Sequence, residues 1–258
     1  SLQNLSHGIA TMNLISNDLK NFSIDSSSQK KSKIFFNKSL IFKNINFNYP
    51  EKKDLIFKNA SITIKKGEIV GISGETGVGK STLIDIILGL VPVKDAEIKI
   101  DNKNYTNNSD LSKLQIGYVP QNIYLIDDSI EKNITLNYKN NAEKKLNKVL
   151  NVAELTEFIS NQEDGINTLI GDNGLKISGG QKQRIGIARA IYSEPQLLIL
   201  DEATNGIDLQ KEREILKKIV SYEPKMTVII ISHKSSSLEY CDKIYEIKDK
   251  KVFFKNYV

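Results

Sequence analysis

Apolar Ile45, Phe47 and Tyr49 alternate with Asn44, Asn46 and Asn48, so residues 34–49 predict half-exposed antiparallel strands. Residues 61–64 continue that pattern, and residues 96–100 alternate in the same way. Short, nearly continuous apolar runs follow a different logic. Residues 68–73 and 116–119 read as short apolar strands, and residues 197–200 and 227–231 as strands buried on both faces, as in a parallel sheet. Residues 82–88 predict a buried helix. In residues 142–155, Leu146, Val149, Leu150 and Ala153 share one stripe with charged residues opposite, which predicts an amphipathic helix. A further helix is expected after the turn Gly171-Asp172-Asn173-Gly174. Ile9, Met12, Ile15 and Leu19 also keep helical spacing, as in the tail of a helix whose packing partner is missing.

Residues 1–33 are otherwise rich in Ser, Asn, Gln and Lys, with Ser26-Ser27-Ser28 before Gln29-Lys30-Lys31, and read as a linker or the tail of a preceding domain. The remaining chain has no internal repeat. At 258 residues and 40% hydrophobic content, the chain can bury one large core or a core with an inserted subdomain. The net charge of +5 is spread over scattered lysines, which argues against nucleic acid as a partner. No apolar run reaches the roughly 18 to 20 residues that span a bilayer, and the start does not read as a secretory leader. Cys241 is the only cysteine, which excludes an internal disulfide or a Cys-based zinc site and fits a reducing compartment. Cys241 reads as a small core residue. With His7 and His233 the only histidines, a multi-histidine metal site is also excluded.

Three constellations carry chemistry. Gly74-Glu75-Thr76-Gly77-Val78-Gly79-Lys80-Ser81 fits the pattern G-x-x-x-x-G-K-[ST] and stands between a predicted strand and a helix continuing through Thr82. Gly74, Gly77 and Gly79 let backbone N–H groups close on an anion. Lys80 adds a mobile charge, the helix start adds its dipole, and the Ser81 hydroxyl is placed to ligate Mg²⁺. This loop predicts triphosphate binding. Second, the run Leu197-Leu198-Ile199-Leu200 ends in Asp201-Glu202, as expected of a central parallel strand delivering carboxylates to the sheet's carboxyl edge. There Asp201 suits a Mg²⁺ shell and Glu202 the polarisation of attacking water; a surface turn after a core strand is the bland alternative. Third, Ser178-Gly179-Gly180-Gln181 opens a helix in another anion-receptive geometry, which could also be simple capping.

Ser178-Gly179-Gly180-Gln181, followed by Gln183-Arg184 and Ala188-Arg189-Ala190, resembles the signature of ABC-transporter ATPases. The resemblance covers residue 34 to about residue 254. It implies a P-loop NTPase core of α/β class, with a mixed central sheet, an antiparallel β subdomain and an inserted α-helical subdomain. The expected division is 34–121 and 182–258 for the catalytic core with its β subdomain, and 122–181 for the helical subdomain carrying the signature. It also implies that Tyr49 stacks on adenine, although a strand-end core tyrosine remains open. Gln121 resembles the glutamine that touches Mg²⁺ and water and communicates with the membrane subunit. His233 resembles the histidine that contacts the γ phosphate and steadies the glutamate. Asp208 resembles the acid of a loop crossing to a partner, but Asn205-Gly206-Ile207-Asp208 stands where the family usually has Ser-Ala-Leu-Asp. Gly206 predicts a more flexible loop there.

By the same resemblance, two copies meet head to tail, each signature facing the γ phosphate bound by the other, with ATP and Mg²⁺ as cofactors. Residues 121–134 look like the exporter type, in which the ATPase follows six membrane helices. The expectation is therefore the ATP-hydrolysing domain of an exporter or flippase, itself soluble, on the cytoplasmic face of the cell membrane. The alternatives are a soluble relative acting on ribosomes or DNA and an ATP-sensing module without turnover. The first usually carries two ATPase cores or long coiled-coil insertions, and Glu202 and His233 argue against the second.

Overall fold

The computed structural model describes residues 34–50, 54–94, 96–105, 108–136, 143–222 and 224–255. The helix expected around Ile9–Leu19, the linker ending at residue 33 and position 142 lie outside them. Two sheets organise the described residues. The first is antiparallel, in the order β2 (Phe57–Lys65), β1 (Ser39–Phe47), β4 (Glu97–Ile100), β5 (Lys103–Tyr105). Its side chains alternate between a buried face holding Leu40, Phe42, Ile62, Ile64, Ile98 and Ile100 and a more exposed one, as the sequence period requires.

The second sheet runs β10 (Lys251–Lys255), β9 (Lys243–Lys248), β3 (Ile69–Ser73), β8 (Thr227–Ile231), β7 (Leu197–Asp201), β6 (Ile116–Val119). β9, β3, β8, β7 and β6 are parallel neighbours, and β10 pairs antiparallel with β9, so the sheet is mixed. Its central strands contribute to two separate cores. Val70, Ile72, Leu197, Ile199, Ile229 and Ile231 pack with the antiparallel sheet and with Leu83, Ile84, Ile86 and Ile87 of helix α1 (Lys80–Leu88). Leu198, Leu200, Val228 and Ile230 turn the other way, toward helices α5 (Gly179–Tyr192) and α6 (Leu209–Val220). Burial on both faces is why these strands read as unbroken apolar runs.

Between the adjacent strands β6 and β7 the chain inserts helices α2 (Ile130–Thr135), α3 (Glu143–Val152) and α4 (Thr156–Ser160) ahead of α5. Leu146, Val149 and Leu150 of α3 are buried, and Ala153 just beyond it is buried in the same core. Helix α5 runs unbroken through positions 181 and 182. A short helix, α7 (Ser235–Leu238), follows β8. No helix among the described residues is long and apolar enough to cross a membrane.

Candidate active site

Four neighbouring parallel strands, β3, β8, β7 and β6, end at one edge, and the residues just beyond those ends line an open cavity of about 560 Å³. Thr76, Gly77, Gly79, Lys80, Ser81 and Thr82 come from the loop after β3 and the start of α1. Gln121 follows β6, Asp201 and Glu202 end β7, Asn205 lies three residues on, and His233 follows β8. The register pairs Asp201 with Ile231 and Leu200 with Val119, so the chemistry-bearing residues leave the sheet side by side.

The loop after β3 is shaped as a phosphate cradle. Gly79 is left-handed, with φ 112°, and directly precedes α1; a Cβ there would approach Ile56 Cγ2 to 2.8 Å. A Cβ on Gly74 would lie 2.8 Å from the Ile247 carbonyl oxygen, whereas one on Gly77 would meet nothing within 4 Å. The glycines at 74 and 79 are thus demanded by close packing, and the one at 77 leaves room on the cavity side. Lys80 Nζ donates to the carbonyl oxygens of Gly74 at 2.9 Å and Glu75 at 3.0 Å. An ammonium has three donors, so the loop holds the charge over its own mouth with one donor for an anion.

Glu202 is fixed from three sides. His233 Nδ1 lies 3.2 Å from its Oε1, while Asn205 Nδ2 donates to Oε2 at 2.9 Å and Gln121 Nε2 at 3.2 Å. Its backbone is left-handed, with φ 50°, unusual for a glutamate, and its N–H donates to Ile231 O at 3.0 Å. The strained turn directs the carboxylate into the cavity with only 15% of the side chain exposed. Beside it, Asp201 accepts a hydrogen bond from the Tyr118 hydroxyl at 3.1 Å. Burial pushes the Asp201 carboxyl above its usual range, and neighbouring Glu202 adds to the rise, while the Tyr118 bond and Lys80 oppose it. Burial, together with Asp201, also raises the Tyr118 phenol.

Such crowding of acidic oxygens suits a hard cation. The Ser81 hydroxyl, the Gln121 amide and Asp201 are all oxygen donors lining this one cavity, the donor chemistry Mg²⁺ accepts when phosphate supplies further ligands. Among the described residues no cluster of three or more His, Cys, Asp or Glu side chains could hold a metal unaided. The fit is to an ion arriving with its nucleotide.

The other sequence-predicted residues stand outside the cavity lining. Tyr49 packs edge-on against Phe47 with ring centroids 5.1 Å apart, and its hydroxyl lies 3.5 Å from Thr82 Oγ1 at the start of α1. Gly74, Glu75 and Val78 belong to the same loop but do not line the cavity. Ser178 caps α5: its Oγ accepts from Gln181 N at 3.2 Å, and Gln181 Oε1 accepts from Ser178 N at 2.7 Å. Ser178 and Gly179 are exposed, and a Cβ on Gly179 would meet nothing within 4 Å. Asp208 caps α6 by accepting from Lys211 N at 2.9 Å.

The Gly206 N–H donates to Gln183 Oε1 at 2.7 Å. A Cβ on Gly180 would lie 2.7 Å from Gly206 O, so these glycines allow the start of α5 and the 205–208 loop to touch. Sequence reasoning missed Asn205 and Tyr118 as site residues. For Asn205 the available signal was its position three residues after Glu202, within reach around a tight turn. Tyr118 carries none beyond being an aromatic residue near the strand's carboxyl end.

A sequence model of the ABC transporter family matches residues 57–205. A Rickettsia typhi protein named as an export ATP-binding/permease protein is 38% identical over 217 residues, 83% of this chain and 38% of that protein. An ATP-dependent lipid A-core flippase of Pectobacterium atrosepticum is 35% identical over 216 residues, 83% of this chain and 37% of the flippase. The chain therefore spans under two fifths of the length of these curated relatives. Among solved structures, a bacterial Atm1-family ABC exporter with ATP bound aligns with TM-score 0.84 and 27% identity, covering 96% of this chain and 43% of the exporter chain.

Proposed function

The chain belongs to the ABC transporter family, and from that premise we propose that it is the ATP-hydrolysing motor domain of an exporter or flippase. The observation that carries the reading is Glu202, a carboxylate held on both oxygens and aimed into the same cavity as the phosphate cradle. In this proposal Gly74–Ser81 grips the β and γ phosphates through backbone amides and Lys80, and Thr82 continues the helix start. Glu202 orients and deprotonates the attacking water, His233 steadies Glu202 and reaches the γ phosphate, and Gln121 is assigned to touch the water and communicate with the membrane subunit. Ser81, Gln121 and Asp201 would hold Mg²⁺ when the nucleotide brings it, whose charge would neutralise phosphate oxygens. Tyr49, on the flank of α1, is assigned to the adenine.

The proposal makes the chain half of a composite site. The exposed Ser178–Gln181 helix start lines no part of its own chain's cavity, and the open space over Gly179 suits an approaching phosphate from a second copy. A head-to-tail dimer would bring that start, with Gly180 and Asp208 of the adjoining loop, against the partner's nucleotide. There its dipole would neutralise charge developing in the transition state. ATP would then close the dimer and hydrolysis release it, moving attached membrane helices. Tyr124, Ile126, Leu169 and Leu175 are exposed apolar side chains on the inserted segment that follows Gln121, and they suit contact with a transmembrane domain, preceding this one in the longer protein, on its cytoplasmic side. Mg-ATP turnover by the chain tests the motor reading, and an absence of turnover under conditions where ATP binds would refute it.

A further inference from the structure

We infer that Glu212 of α6 is a positioning residue that anchors both loops meeting at Glu202 and His233; the inference rests on the ATPase reading above. Glu212 is a carboxylate only 1% exposed on a helix face otherwise buried through Ile215, Leu216 and Ile219. Such a group is costly unless fully bonded. Its partners come from both loops. Thr204 Oγ1 donates to Oε1 at 2.8 Å, and Thr204 lies two residues after Glu202. Ser237 Oγ donates to the same oxygen at 2.6 Å, and Lys234 Nζ reaches Oε2 at 3.1 Å.

The bonds continue around His233. Lys234 N donates to Ser232 Oγ at 3.0 Å, and Ser232 Oγ lies 3.3 Å from Ser237 Oγ. His233 thus sits between two residues that are both tied into the Glu212 network, while Glu202 stands two residues before a third, Thr204. Neither Thr204, Lys234, Ser237 nor Glu212 lines the cavity, so none is placed to touch ATP. One buried acid on α6 therefore fixes the spacing of the two loops whose tips form the 3.2 Å contact between Glu202 and His233. Because Asp208 caps α6, any displacement of the 205–208 loop would reach both loops through the same carboxylate.

Glu212→Gln keeps an acceptor for Thr204 and Ser237 but removes the charge facing Lys234. A loosened Glu202–His233 pair should lower kcat for ATP about 10- to 100-fold, with KM and nucleotide binding within about twofold of the parent. The chain holds only two histidines, so the imidazole NMR signals of His233 are readily assigned, and they should shift in the variant. Ile215→Val, which thins the packing of α6 without touching the network, should move neither quantity. A folded Glu212→Gln protein with parental kcat and unshifted His233 signals would overturn the inference, as would an equal loss in Ile215→Val. Should Glu212→Gln fail to fold, Lys234→Met removes the other half of the ion pair and is read by the same two outcomes. A parent without ATP turnover would refute the motor reading alone, because the His233 signals still decide whether Glu212 anchors that loop.

Discussion

Replacing Glu202 by glutamine exchanges one carboxylate oxygen for an NH₂ and leaves the side chain the same size. The surrounding groups dictate how the amide sits. Asn205 Nδ2 and Gln121 Nε2 both donate to Oε2, so the amide oxygen takes that position and the new NH₂ faces His233. His233 can accept by carrying its proton on Nε2, so each polar atom keeps a partner and the fold should lose no more than about 1 kcal/mol. The chemistry does not survive the exchange, because an amide cannot take the proton of the attacking water. A positioned general base contributes about 10²- to 10⁴-fold, which at about 1.36 kcal/mol per tenfold amounts to roughly 2.7 to 5.4 kcal/mol of barrier. Since Glu202 belongs to no part of the phosphate cradle, affinity should be retained. The assay is steady-state Mg-ATP turnover beside equilibrium binding of a fluorescent ATP analogue. Turnover should fall at least a hundredfold while binding changes less than threefold. Turnover within threefold of the parent would refute the assignment of the base.

Lys80→Ala removes the ammonium that the loop carbonyls hold over the cradle, and should weaken ATP binding at least a hundredfold in a titration with labelled nucleotide. Ser178→Arg adds bulk and charge at an exposed helix start outside the chain's own cavity; ATP binding should persist while ATP-induced dimerisation, read by light scattering, is lost. Asp201→Asn separates stability from activity. The folded-state pKa of Asp201 lies above its ordinary value of 3.8, so its contribution to stability is fully present below 3.8 and lost as pH rises through the raised value. At pH 7 the carboxylate therefore burdens the fold. The asparagine variant should melt higher than the parent at pH 7, by a margin that shrinks as the pH falls toward 3.8, while losing Mg-dependent turnover; a lower melting temperature at pH 7 would contradict this.

Much of this architecture is legible because one physical cause dominates each stretch. The period of two around Ile45 and Phe47 marks a sheet with one covered face, and the unbroken run 197–200 marks a strand covered on both. The loop 74–81 is legible for a different reason, since gripping a phosphate restricts both side-chain size and spacing. Where two demands compete, the pattern blurs. Helix α6 does carry helical spacing in its buried Ile215, Leu216 and Ile219, but Glu212 shares that face and Leu209 at its start is 60% exposed, so its charged and apolar residues do not separate cleanly. Strand β9 is equally opaque: Lys243 and Glu246 break up Ile244, Tyr245 and Ile247 without a period of two, and Lys243 is held by Glu68 at 2.9 Å. The helix start at Ser178 was legible as a start but not in its direction, since exposure toward solvent and exposure toward a partner leave the same sequence. Asn205 belongs to the site only because the chain turns back after Glu202, a conformation that a left-handed glutamate does not announce.

The central claim is that one triphosphate is gripped by the Gly74–Ser81 loop of one copy and the Ser178–Gln181 helix start of another. A crystal or cryo-EM structure of the Glu202→Gln protein with ATP and Mg²⁺ tests it most directly, because that variant should bind and not turn over. The account predicts two copies head to tail, with the γ phosphate between Lys80 of one and Gly179 of the other. Nucleotide enclosed by a single copy, or bound away from the 74–81 loop in a protein that hydrolyses ATP before the substitution, would contradict it.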